Sequence, residues 1–121
     1  MTSTEIEIKN QNSRHFVQVP MPEWMFQAWI DYAVDIKTER KKIIEEFIDQ
    51  YLITKKQYAN QAERHVVLYA SPAQSKPRSL WISEKHYQKV ESFAKLHSNR
   101  SNRVIFTACL EGLIKKGRIQ I

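Results

Sequence analysis

Glycine is almost missing from this chain: Gly112 and Gly117 are the only two in 121 residues, and both lie near its end. No glycine-rich loop is present to cradle a nucleotide phosphate in the Walker or Rossmann manner, which disfavours nucleotide-dependent enzymes. Cysteine is scarcer still. A lone Cys109 rules out an internal disulfide and a Cys-cluster zinc site, and it fits a reducing compartment. No apolar run approaches the roughly 18 residues that a membrane span requires. The opening Met1-Thr2-Ser3-Thr4-Glu5 is polar and acidic, unlike a signal peptide, so a soluble, cytoplasmic protein is expected. Acids run short in one region only. Residues 76–121 hold ten Lys+Arg against three Asp+Glu, whereas residues 1–75 hold nine against ten.

What is present is ordinary globular material, 42% hydrophobic and 26% charged, at a length that suits one domain. The net charge of +6 meets the electrostatic criterion for a partner that is a polyanion. Such a partner should meet mainly the C-terminal part, together with the one concentrated cationic run of the N-terminal part, Arg40-Lys41-Lys42.

A shift of 61 positions superposes two segments of the chain, with identities at Glu23/Glu84, Gln27/Gln88, Ala33/Ala94, Ile44/Ile105, Leu52/Leu113, Ile53/Ile114 and Lys55/Lys116. The hydrophobic pattern repeats in the same register. Ile43, Ile44, Phe47, Ile48, Tyr51 and Leu52 follow the spacing of one helical face, and Val104, Ile105, Ala108, Cys109, Gly112 and Leu113 occupy the same places in the second copy. An earlier stripe of Met25, Ala28, Trp29, Tyr32, Ala33 and Ile36 is answered by His86, Val90, Phe93, Ala94 and His97. Pro22-Glu23 and Ser83-Glu84 are start signals for these first helices. Short alternating runs precede them, His15-Phe16-Val17-Gln18-Val19 and Ser79-Leu80-Trp81-Ile82, which read as β-strands. Each copy is therefore strand, helix, helix.

A lone strand leaves its backbone groups unpaired, and two copies solve this together by pairing one strand from each. The expected fold is mainly α with a short two-stranded antiparallel β-ribbon, its Val17, Val19, Leu80 and Ile82 face packed on four helices. These residues resemble the ribbon-helix-helix superfamily, the Arc, MetJ and CopG type of DNA-binding protein, here fused in tandem as a pseudo-dimer similar to TraY-like proteins. The division is a tail at 1–13, a first repeat at 14–53, a connection at 54–77, a second repeat at 78–117 and a tail at 118–121. Within the connection, His65-Val66-Val67-Leu68-Tyr69-Ala70 reads as a further strand, and Ser71 to Pro77 as linker. The helix over 102–116 is apolar on more than one face and is expected at the centre of the pseudo-dimer or between chains.

A two-stranded ribbon fits the major groove, where base edges distinguish all four pairs. If the valines, Leu80 and Ile82 face the core, parity turns Arg14, Phe16, Gln18, Ser79 and Trp81 outward as base-reading candidates. Gln18 suits adenine and Ser79 several bases. Phe16 and Trp81 depart from the polar residues usual in the resembled family, and either meet thymine methyl groups or pack against a partner. The second helices place cations where the helix dipole repels them: Thr38, Arg40, Lys41 and Lys42 in one copy, Asn99, Arg100, Ser101, Asn102 and Arg103 in the other. A phosphate at each helix start explains that arrangement, as the resemblance also implies, with Lys76 and Arg78 as further phosphate candidates. The plainer explanation pairs Lys41 and Lys42 with Glu45 and Glu46 one turn on, for a few tenths of a kcal/mol.

The histidines, His15, His65, His86 and His97, lack metal spacing and read as structural. Cys109 aligns with Ile48 as a small buried hydrophobe. Asp31, Asp35, Glu45, Glu46 and Asp49 permit a metal-nuclease reading, but a solvated acidic face explains them. Neither a cofactor, a metal nor enzymatic activity is expected, since no nucleophile, base and orienting partner converge. The functional expectation is a sequence-specific binder of double-stranded DNA that acts as a homodimer or higher cooperative assembly. It would regulate transcription on a plasmid or mobile element, or alternatively serve as a relaxosome accessory protein at a conjugative transfer origin. A protein-interaction module such as an antitoxin is the rival from another class.

Overall fold

The computed structural model describes residues 14–56 and 68–120. It holds two strands and four helices in the order β1 (Arg14–Met21), α1 (Glu23–Asp35), α2 (Arg40–Lys56), β2 (Lys76–Ser83), α3 (Glu84–Leu96) and α4 (Ser101–Lys115). The strands pair antiparallel into one two-stranded sheet. Mainly helical architecture with a two-stranded antiparallel ribbon is thus the observed class, and the two strands pair within one chain.

The 61-residue shift reappears in the backbone. It carries α1 onto α3 residue for residue, and the start of α2 onto the start of α4. It also carries Lys37 (φ 53°) onto Ser98 (φ 52°), the two non-glycine residues with positive φ among those described. Around them Thr38 donates to the Ala33 carbonyl at 3.0 Å, and Asn99 to that of Ala94 at 2.8 Å. Each first helix therefore ends on a left-handed residue whose following N–H satisfies a carbonyl of the last turn. Ser83 caps α3 by accepting from the His86 N–H, while Pro22 at the matching place of α1 makes no side-chain cap bond.

Burial follows the apolar stripes. Met25, Trp29 and Ala33 of α1 and Val90 and Ala94 of α3 are buried, together with Ile43, Ile44, Phe47, Ile48 and Tyr51 of α2. Ile36, placed in that stripe by spacing, caps the end of α1 and is exposed. In α4 the six consecutive residues Val104–Cys109 are all buried, because this helix packs against β1, α1, α2 and α3 at once. Its central place in the packing explains its apolar character on several faces. Each second helix also lies against the other copy's strand, α2 on β2 and α4 on β1, so the halves share one core.

The strands are longer than their sequence signal. Pro20 and Pro77 lie opposite each other inside the ribbon, so Lys76 and Pro77 belong to β2, not to a linker. Both strands of a two-stranded sheet are edges, and an edge tolerates proline's missing N–H. On the inner face Val19, Met21, Leu80 and Ile82 are buried, whereas Val17 is half-buried. The expected strand at 65–70 is corrected in its described part, since Leu68–Ala70 is not a strand; His65-Val66-Val67 lies outside the described residues. The Tyr69 N–H donates to Thr107 Oγ1 at 2.9 Å and the Ser71 hydroxyl to the Pro20 carbonyl at 2.6 Å. A segment docked through single side chains has no ladder to join.

Candidate nucleic-acid interface

Strand parity turns one row of each strand away from the helices. Arg14, Phe16, Gln18, Ser79 and Trp81 are all exposed there. The register sets Arg14 opposite Ser83, Phe16 opposite Trp81, Gln18 opposite Ser79 and Pro20 opposite Pro77. The Phe16 and Trp81 rings, 44% and 52% exposed, sit 5.1 Å apart at 59°. The proline pair belongs to the same face and is absent from the sequence-derived candidates. Continuing the alternation two residues past Gln18 would have found Pro20.

The second helices begin at Arg40 and Ser101, and neither has an acid in its first turn. Arg100, the N-cap of α4, makes no side-chain capping bond, so the first N–H groups of that helix keep their donor capacity. Lys42 and Arg103, equivalent under the shift, are both exposed, as are Arg40 and Arg100. Among the described residues, no carboxylate lies within 4.0 Å of Arg40, Lys41, Lys42, Arg100 or Arg103. Glu45, one turn on from Lys41, is turned elsewhere: it accepts from the Ser83 N–H at 2.7 Å and stands 3.4 Å from His86 Nδ1. Arg40 rests over the rings of Phe26 and Trp29 at 5.6 and 5.8 Å. Asn99 Oδ1 accepts from the Arg100 N–H, and the Thr38 hydroxyl donates to the Ile36 carbonyl, so both shape the turns before the helices. Ser101 and Asn102 are half-buried in the first turn of α4, and Asn102 Oδ1 is buried without a partner among the described residues.

Arg78, expected on a phosphate, is placed inward instead. It lies opposite Val19, donates to the Met21 carbonyl at 3.2 Å and to Glu23 Oε2 at 2.9 Å, and stacks 4.4 Å from the Phe26 ring. Alternation alone could have indicated this, because Arg78 shares the parity of Leu80 and Ile82. At the other end of the ribbon Glu84, the counterpart of Glu23, lies 3.0 Å from His15 Nδ1, whose ring stacks on Tyr87 at 3.5 Å. The first acid of each first helix thus holds the strand of the opposite copy. Lys76 remains exposed at the start of β2.

Several other chemically capable groups are engaged in structure. His86 Nε2 lies 3.0 Å from Asp49 Oδ2, and Asp49 also meets Lys89. Asp31 accepts from Gln27, and Asp35 pairs with Arg118. His97, expected to be satisfied, carries a buried Nε2 without a partner among the described residues. Burial pushes the Cys109 thiol pKa far up, and burial does the same for the Tyr51 hydroxyl, helped by nearby Glu111. No helix among the described residues is long and apolar enough to cross a membrane. Compared with known proteins, the chain matches no family model, no curated protein and no solved structure.

Proposed function

We propose that this chain is a sequence-specific binder of double-stranded DNA, built as a tandem ribbon-helix-helix pseudo-dimer. The ribbon enters the major groove with Gln18 and Ser79 at base edges, and the starts of α2 and α4 rest on phosphates. One observation carries the reading: cations at two helix starts, Lys42 and Arg103, occupy equivalent places, are exposed, and lack carboxylate partners among the described residues. Two such tips cost stability through the helix dipole unless an anion meets them. The resemblance to ribbon-helix-helix proteins extends the proposal to transcriptional regulation on a plasmid or mobile element, by a non-enzymatic cytoplasmic protein.

Duplex binding measured across a salt series tests this directly. The expected outcome is affinity that falls steeply with salt and exceeds that for random competitor DNA. Binding that is weak and indifferent to salt would overturn the proposal. The exposed Phe16 and Trp81 rings favour one second reading, a protein-interaction surface. In that case Trp81→Ala abolishes capture of a protein partner and leaves duplex affinity untouched.

A further inference from the structure

The ribbon register contains an asymmetry that two copies of one pattern do not require. Gln18 stands opposite Ser79, and the two are also counterparts under the 61-residue shift, so exchanging the copies maps this pair onto itself. The same exchange maps Phe16 onto Pro77 and Trp81 onto Pro20. Outward from the central pair, therefore, one direction leads to two exposed aromatic rings and then to Arg14 and Ser83. The other leads to the proline pair. Proline side chains carry no hydrogen-bonding group, and their compact rings close back on the backbone, so that end of the face projects much less toward a base edge than the two large aromatic rings do. At the aromatic end the apolar major-groove feature available to Phe16 and Trp81 is the C5-methyl of thymine.

Resting on the DNA-binding reading above, we propose that the chain recognises a non-palindromic duplex: thymine methyl groups lie under Phe16 and Trp81 on one side of the central contact, and the proline side goes unread. A step of two residues along a strand spans about 6.7 Å, so the methyl contacts fall about two base pairs from the centre. The flanking cationic helix tips are common to both halves, and they grip either half-site alike. Orientation of the protein on its site is then set by the ribbon alone.

The test selects sites from a random duplex library with the full chain, then replaces each thymine of the recovered site by uracil, which removes only the methyl. The expected motif is asymmetric, and uracil weakens binding about fourfold per buried methyl on one side of the centre only. Phe16→Ala and Trp81→Ala each lower that sensitivity and together abolish it, while preference at the central base pairs and the salt slope stay as in the parent; both residues are exposed, and unchanged helical circular dichroism confirms folding. A palindromic motif, uracil effects of equal size on both sides, or uracil effects that persist in the Phe16→Ala/Trp81→Ala double variant would overturn the inference and leave duplex binding standing. Salt-dependent duplex binding with no enriched motif would also overturn it. Absence of salt-dependent duplex binding, or tighter binding of single strands through Trp81, would overturn the DNA-binding reading itself.

Discussion

Gly112 of α4 faces the ring of Phe47 of α2 so closely that a methyl group in place of its hydrogen would overlap the ring. Under the repeat, Phe47 corresponds to Ala108 and Gly112 to Tyr51. Bulk thus sits on one second helix and its absence on the other, which allows the pair to close within one chain. An alanine normally stabilises a helix interior over glycine by about 1 kcal/mol. Here Gly112→Ala is expected to destabilise by about 1–3 kcal/mol, because Phe47 is itself buried and cannot swing away. Urea denaturation measures this, and Phe47→Leu in the same chain should recover part of the loss.

Arg103→Ala and Lys42→Ala should weaken binding to all duplexes alike. On the proposed reading each change removes about one phosphate contact, so the slope of log affinity against log salt should flatten by about one. Gln18→Ala should leave that slope alone and erode preference among sequences by roughly 1–3 kcal/mol. Fluorescence anisotropy with specific and random duplexes separates the two effects. Equal behaviour of all three variants would contradict the division between tips and ribbon.

Arg78→Ala belongs to a different class despite its charge. Its guanidinium holds the Met21 carbonyl, Glu23 and the Phe26 ring at one end of the ribbon. The expected loss is about 1–3 kcal/mol of folding stability, with an unaltered salt slope for the folded fraction. Thermal unfolding and the salt series together check this.

Alkaline pH should destabilise the fold. Burial holds Cys109 neutral well above its ordinary value of 9.0 and Tyr51 above 10.0, while the unfolded chain ionises both near those values. The folded pKa being the higher in each case, stability is complete below about pH 8.5 and is lost as pH rises through the thiol and then the phenol range. Each group contributes a slope of up to about 1.4 kcal/mol per pH unit. Cys109→Ala should abolish the part that begins near pH 9, seen as a flatter plot of denaturation midpoint against pH. The native thiol should also resist labelling at a rate set by unfolding.

The legible part of this protein is its repetition. The shift that aligns Ile44 with Ile105 also aligns the ends of α1 and α3 and the left-handed Lys37 and Ser98, because helix starts and stops depend on neighbours within a few residues. Parity alone turned Phe16, Gln18, Ser79 and Trp81 outward. The alternation extends further along the strands than their sequence signal: Pro20, Pro77 and Lys76 sit among residues that read as turn and linker, and Arg78 reads as a cation before it reads as an inward position. The partner of Glu45 was out of reach in another way. One turn from Lys41 and Lys42 in sequence, it is bonded to Ser83, 38 positions away.

By itself, then, the amino-acid order determined the periodic faces, the two strand-helix-helix copies and the cationic starts of the second helices, all of which arise from interactions a few residues long. Tertiary structure decided the rest: that Gln18 meets Ser79 and Phe16 meets Trp81, that Phe47 fills the space over Gly112, and that Arg78 is held by Glu23. These are choices of one distant segment among many possible mates, and they are set by the fit of whole surfaces when the two copies close on a single core.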